Sequence, residues 1–361
     1  MVVAVVADRA EVRTRSWRAR SCALLAVAMI AVLASCTTDL GGLGGVSQAN
    51  DMNDGCTIVG FSFTEGMTGG PYAVKFHRDW PPERLAMVAG DGWSRAYAVN
   101  NNGVIAGGSY GASGTGHPVV WQPDGTMTDL TPRLAALGDI VWGEATAISD
   151  NGLVAGTLEY RNASGGRLRR AFVVDLNGTA AHRTDELVNV TVDDIAEDGI
   201  LVGSVRYEPT LWKGSPTNGY ARTTLRRAGK SGGVASAING SGVIVGHLDD
   251  APAMWSGPDA EPTLLPSPAP AGESAAVTDI NDAGVMVGGW SRKTFEPWSR
   301  ALRWTSASAQ PEVLAMVGTT SATAQATACN NAGEAVGYSQ VDSDVPGRGN
   351  QTATWWDPPV S

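Results

Sequence analysis

Four histidines in 361 residues (His77, His117, His182 and His247) are too few and too scattered for the pairings a zinc site uses: there is no His-x-x-x-His and no His-Glu step. Neither a Gly-x-Ser-x-Gly elbow nor a Walker-type loop occurs, which removes the serine-hydrolase and P-loop classes. A sialidase-type Ser-x-Asp-x-Gly-x-x-Trp box is also absent. No metal and no cofactor are expected. Charged residues make up only 17%, yet 45 Gly and 12 Trp accompany them, a composition of turn-rich β-structure and not of a disordered chain. The apolar run of 12 residues from Cys22 to Leu33 is too short for a permanent membrane span.

What the sequence does have is one sentence written repeatedly. Ala96-Tyr-Ala-Val-Asn-Asn-Asn-Gly-Val-Ile-Ala-Gly107 recurs without gaps at 145–156, 192–203, 235–246, 277–288 and 326–337, with a degenerate first copy at 49–60. The closing glycines, 60, 107, 156, 203, 246, 288 and 337, are 47, 49, 47, 43, 42 and 49 residues apart, the period of an array of supersecondary units. In the copies as a set, Asn or Ser at the fifth position (Ala196 in the fourth) and Gly at the eighth (Cys56 in the first) bracket a type I turn followed by a left-handed residue, which makes a tight hairpin. The arm after the turn is continuously apolar, as in Ile200-Leu-Val202, and reads as a strand covered on both faces. Further on comes a third strand ending in an aromatic, as in His117-Pro-Val-Val-Trp121, Ala251-Pro-Ala-Met-Trp255 and Gln351-Thr-Ala-Thr-Trp355. Room for a fourth follows, for example Gly125-Thr-Met-Thr-Asp-Leu130.

Residues 1–35 read as a targeting segment. Arg9, Arg13, Arg15, Arg18 and Arg20 precede the apolar run, which ends in Leu33-Ala34-Ser35-Cys36. This resembles the lipobox of bacterial lipoproteins, and the resemblance implies diacylation of Cys36, cleavage before it and acylation of the new amino terminus. No Asp follows the Cys, so the outer membrane is the expected location, facing the periplasm or the cell surface. The five Arg of this segment stand against one Asp and one Glu, so its removal takes the net charge from −10 to −13 and leaves duplex nucleic acid an unsuitable partner.

Asp39-Leu-Gly-Gly-Leu-Gly-Gly45, followed by a polar run and the Ala-x-x-Ile-Asn-x-x-Gly-x-Val-Val-Gly pattern, is similar to the HAF repeat family of extracellular bacterial proteins over about residues 38–357. The namesake His-Ala-Phe stands here only in altered form, as Arg170-Ala-Phe172. The resemblance implies a β-propeller-like fold and an envelope or extracellular location, with no agreed activity. Four strands of about six residues with short connections fill such a period on their own account. The expected fold is therefore all-β: residues 36–361 form a single seven-bladed β-propeller of four-stranded repeats, the strand near residues 37–40 completing the last blade.

Connections between second and third strands are expected to be long in copies 6, 7, 1, 2 and 3 and short in copies 4 and 5, which builds up one side of one face. Candidate ligand residues there are Tyr110, His117, Tyr160, Arg167, Trp290, Arg292, Lys293, Trp298 and Arg348, a mixture of aromatic and cationic side chains that fits glycan or peptide recognition. Asp54, Asp150, Asp198 and Asp282 are read as turn residues and not as calcium ligands. The two cysteines of the body, Cys56 and Cys329, fall in copies that are neighbours in a closed ring and form a candidate disulfide. Two functions fit: a monomeric, non-catalytic, lipid-anchored module that binds protein or glycan, or a hydrolase or lyase acting on polysaccharide.

Overall fold

The computed structural model describes residues 37–359 except 68, 80, 184–189, 270–271, 292–298, 318–322 and 341–350. Seven antiparallel four-stranded sheets follow one another as the blades of a propeller. Their innermost strands are Gly44–Met52, Trp93–Val99, Asp139–Ile148, Val190–Ile195, Gly233–Ile238, Ser274–Ile280 and Ala324–Cys329. Each touches the innermost strands of both neighbouring blades, and that of blade 7 touches that of blade 1, so the ring is closed.

Every copy of the motif makes the same hairpin. In blade 2 the Asn100 N–H donates to the Val104 carbonyl (3.0 Å) and the Gly103 N–H to the Asn100 carbonyl (2.9 Å), and the same pair of bonds recurs in all seven blades. The six eighth-position glycines have φ between 77° and 86°, and Cys56, which replaces glycine in blade 1, is held at 58°. In all seven blades the pairing skips a residue between the first and third motif positions. This bulge turns the second-position side chain into the central tunnel. Antiparallel alternation puts the seven hairpins at one end of the tunnel, here the turn face. The second-to-third connections and the crossovers to the next blade lie at the other, the loop face.

The core is a set of seams between blades. Ala106, Val120 and Leu130 of blade 2 pack against Ile148, Val154 and Phe172 of blade 3, and comparable clusters fill the other joints. Third-strand indoles sit fully buried in these seams and reach back to the preceding blade: Trp121 Nε1 donates to the Ala86 carbonyl (2.8 Å), Trp255 to Arg226 (2.8 Å) and Trp304 to Pro266 (2.7 Å). Blade 7 corrects the sequence reading by one residue. Trp356, opposite Ala335, is the equivalent indole and donates to the Ala315 carbonyl in blade 6. Trp355 faces blade 1 instead, where the Arg78 guanidinium lies 3.3 Å from its ring centre.

The expected closure is present. Thr37–Gly41 is the outer strand of blade 7, paired antiparallel with Gln351–Trp356. Both body cysteines are free thiols, so the candidate disulfide is not formed. The reason is register: exposed Cys56 occupies the turn and lies 3.3 Å from Glu334 Oε2, whereas Cys329 ends a strand, buried, and approaches the Val285 carbonyl of blade 6 (3.6 Å).

Candidate functional site

Stacked rings of side chains from the early motif positions line the tunnel. The second-position ring is polar, with Asn50, Tyr97, Thr146, Asp193, Ser236, Thr278 and Thr327 around a cavity of about 130 Å³. The third-position ring holds Asp51, Asp194 and Asp279, with alanine in the other four blades. Beyond it a cavity of about 230 Å³ opens to the turn face, edged by Asp54, Asp150, Glu197 and Asp282.

These acids join blades. Asp51 Oδ2 accepts the Val99 N–H of blade 2 (2.7 Å), Asp194 Oδ2 the Ile238 N–H of blade 5 (2.9 Å) and Asp279 Oδ2 the Cys329 N–H of blade 7 (2.7 Å). The Oδ1 atom of each accepts the N–H of its own following residue. At the turn face a second girdle runs through the sixth motif position: Asn101 N–H to Asp150 Oδ1 (2.6 Å), Asp150 N–H to Glu197 Oε1 (2.6 Å), Asp282 N–H to Asn331 Oδ1 (2.9 Å) and, across the seam, Asn331 N–H to Asp54 Oδ1 (2.7 Å). Gly240 has no side chain to offer, and the blade 4 to 5 joint relies on Asp194. Asp54, Asp150 and Asp282, expected to serve their own turns, thus accept from the neighbouring blade. Among the described residues no group of three or more His, Cys, Asp or Glu is set to hold a metal ion.

Enclosure raises the axial acids. Desolvation, joined by repulsion from Asp279, pushes Asp51 up to about 8; desolvation pushes Asp194 up to about 7 and Asp193 to about 6, and moves Asp279 in the same direction. The surface these side chains keep, largest for Asp193, faces the tunnel, so they are surrounded by protein yet open to the tunnel cavity. An unfolded Asp titrates near about 4. From there up to about 8 the folded chain holds a proton on Asp51 that the unfolded chain has released, so this group lowers stability as pH rises through the window and adds no further change above it. The melting temperature of the wild type minus that of Asp51→Asn is therefore expected to fall by on the order of 3 °C between pH 5 and pH 8. A constant or rising difference in scanning calorimetry would contradict the assignment.

The loop face is uneven, as expected. Blade 3 stands tall, its first three strands Asp139–Ile148, Leu153–Arg161 and Arg167–Asp175, while blades 4 and 5 turn in two residues between Val205 and Glu208 and between Leu248 and Ala251. Of the expected ligand residues, Arg167 is exposed beside Glu159 (3.5 Å), and His117 lies between Asp129 (3.4 Å) and Asp91 (3.9 Å). Trp290 is half-buried and donates its indole N–H to Glu273. Tyr160 is buried, with the Arg183 guanidinium 4.5 Å from its ring centre, and is removed from the rim. Arg292, Lys293, Trp298, Arg348 and the lipid-bearing candidate Cys36 lie outside the described residues.

Tyr110 is also buried, but it organises a cluster at the tunnel mouth of blades 1–3. Gly108 has no side chain, so the Tyr110 ring folds back over it; a Cβ there would sit 2.3 Å from the phenol oxygen. Trp93 stacks on Tyr110 (3.8 Å, 15°), and Trp142 lies 6.3 Å further along the row. The Tyr97 and Tyr110 hydroxyls are 3.0 Å apart, and both lie within reach of Glu144 Oε2 (3.0 and 2.9 Å). Arg169 stands 3.7 Å from the other Glu144 oxygen and 5.1 Å from the Trp142 ring centre. Arg95 points its guanidinium over Phe61 (4.6 Å) and Trp93 (5.8 Å). Burial, reinforced by the Glu144 charge, raises both phenols, so they stay protonated donors. Sequence reasoning reached only Tyr110 of this group. The missed signal was aromatic and charged residues at and just before the motif in copies 2 and 3, Trp93-Ser-Arg95-Ala-Tyr97 and Trp142-Gly-Glu144, where copies 5 and 6 carry only small or β-branched residues, Gly232-Gly-Val-Ala-Ser236 and Ser274-Ala-Ala-Val-Thr278.

No family model matches the chain, and no curated protein matches it. Among solved structures, similarity extends to a protein of unknown function from Dyadobacter fermentans (12% identity, 89% of this chain and 96% of that one, TM-score 0.46). It extends also to the Aleuria aurantia lectin in complex with Fucα1-6GlcNAc (9% identity, 87% and 96%, TM-score 0.34). A third is the GH43_1 enzyme from Xanthomonas citri complexed with xylose (12% identity, 89% of each chain, TM-score 0.27). All three scores lie below 0.5, so no function is carried from them to this chain.

Proposed function

We propose that this chain is a lipid-anchored envelope protein, similar to the HAF repeat proteins, whose propeller binds a glycan at the loop-face tunnel mouth without altering it. The observation that carries the reading is the Trp93, Tyr110, Trp142 row beside protonated phenols and the Glu144 carboxylate. Aromatic faces cover the apolar faces of sugar rings, and neighbouring donors and acceptors take up hydroxyls. Phenols raised by burial are hydrogen-bond donors and not bases, which favours binding over proton abstraction. The axial acids favour the polysaccharide hydrolase or lyase reading, but both oxygens of Asp51, Asp194 and Asp279 are held by backbone N–H groups in the same way in three blades, as blade joints are.

A saccharide array followed by calorimetry tests this. Trp142→Ala is expected to weaken the best saccharide by on the order of 30-fold in a protein that still unfolds in one cooperative transition. Unweakened binding, release of reducing ends, or binding of peptides alone would each overturn the reading.

The anchor has its own support in Leu33-Ala-Ser-Cys36 and in the closing strand. Thr37 pairs with Trp356, whose other partner Ala335 follows the blade 7 turn, so the chain enters the propeller at the turn face. A lipid on Cys36 is one peptide bond away, which turns the loop face from the membrane. Mass spectrometry of the mature amino-terminal peptide is expected to find diacylglycerol on Cys36; an unmodified terminus elsewhere would remove the anchor.

A further inference from the structure

Among the described residues no carboxylate pairs with Arg95. Its Nε is buried with no hydrogen-bond partner, and its guanidinium lies over the faces of Phe61 and Trp93. A half-buried cation is costly unless something answers its charge, and two aromatic faces do so only in part. The other charges of the mouth are already matched: Glu144 has Arg169 and two phenols. Arg95 lies on the innermost strand of blade 2, two residues before tunnel-lining Tyr97 and next to the aromatic row. The acidic groups of the tunnel stand deeper, at and beyond the second-position ring.

Resting on the glycan reading above, we infer that the ligand is an acidic saccharide, a sugar chain carrying carboxylate or sulfate, whose anionic group is received by Arg95 while a neighbouring ring lies on the Trp93 and Trp142 row. The outer guanidinium nitrogens form a planar fork that matches either anion with two N–H bonds, which an ammonium group could not do. Between the two aromatic faces the fork is already oriented, so little side-chain freedom is lost on binding. The body carries a net charge of −13 without its leader, so Arg95 gives the mouth a local preference opposed to the field of the whole protein.

Full-length protein in mild detergent should be titrated with oligogalacturonate, its methyl ester of the same length, and a sulfated oligosaccharide. A charge-assisted fork predicts a preference for the free acid or the sulfate over the ester on the order of tenfold to a hundredfold. The relative strength of acid and sulfate tells the two sources of the anion apart. Arg95→Met keeps the stem over Phe61 and removes the charge; it should erase the preference and leave ester binding in place. Arg95→Lys, which keeps charge but loses the fork, should retain only part of it, and it serves if Arg95→Met does not fold. Equal affinity for acid, sulfate and ester in the wild type, or a preference that survives in Arg95→Met, would overturn the acidic-ligand inference while leaving the glycan reading intact. Binding of neutral saccharides alone would do the same. If no saccharide binds and Trp142→Ala changes nothing, the glycan reading fails together with it.

Discussion

Gly246→Ala is expected to destabilise the protein by about 3 kcal/mol or more, lowering its melting temperature by roughly 6–12 °C. A Cβ on Gly246 would lie 2.0 Å from the Val234 carbonyl oxygen and 3.1 Å from Ala235 Cα, all backbone of the adjacent strand, with no flexible side chain to move aside. The crowding comes from the bulge. Skipping one residue between Ala235 and Ala237 swings the carbonyl before the motif over the closing glycine of the paired strand. The same contact recurs at all seven closing glycines, where a Cβ would meet that carbonyl at 1.9–2.2 Å. The glycine that marks the period in the sequence is thus a steric requirement of the bulge that opens each second-position side chain into the tunnel. Gly257→Ala in the same blade, where a Cβ meets nothing within 4 Å, is the control and should stay within about 0.5 kcal/mol of the wild type. Equal melting of Gly246→Ala and Gly257→Ala in calorimetry would show that the strand pair opens without cost.

Features set by local chemistry could be read before the fold was known. Turn residues at the fifth and eighth motif positions specify the hairpins, and Cys56 taking a left-handed φ where six glycines do, like Ala196 holding the fifth position of blade 4, shows how firmly the turn holds against its exceptions. Strand order within blades and the closing role of Thr37–Gly41 followed from counting strands. Contacts between blades stayed hidden because they join positions a full period apart with no local pattern. An Asp at the sixth position looks the same whether it serves its own turn or accepts the next blade's N–H, as Asp54 and Asp150 do. Tyr110, at the end of a strand, reads from sequence as a rim residue; a glycine two positions earlier lets its ring fold inward over the strand. Trp355 and Trp356 are adjacent apolar aromatics that sequence does not rank, and one residue of register selects which seam each faces.

Deleting residues 37–42 behind the lipid-bearing Cys36 is expected to have the second large effect: loss of at least about 10 °C in melting temperature and the appearance of dimers and larger species. The strand contributes Leu40, 4% exposed within the blade 7 to blade 1 core, and ties the two ends of the chain through side chains as well as its ladder. Thr352 Oγ1 donates to Asp39 Oδ1 (2.5 Å), Ser47 Oγ to the Gly41 carbonyl (2.6 Å), and the Ala353 N–H to Ser47 Oγ (2.9 Å). Without it, Gln351–Trp356 becomes an unpaired edge that can add a strand from another molecule. Blade 7 would still touch blade 1 through the turn girdle, the Thr327 hydroxyl on the Ala49 carbonyl (2.9 Å) and the Arg78 pair with Glu334 (2.5 Å), so the ring is weakened at one joint and not dissolved. Leu40→Ala separates the two effects. It removes the buried side chain at a cost of about 2–4 kcal/mol but keeps the edge paired, so it should lower the melting temperature and leave the protein monodisperse. Light scattering and calorimetry on both variants decide the matter: an unchanged melting point in the deletion would mean that the seam between blades 7 and 1 closes on its remaining contacts alone, and aggregation in Leu40→Ala equal to that of the deletion would mean that core loss, and not the open edge, drives association.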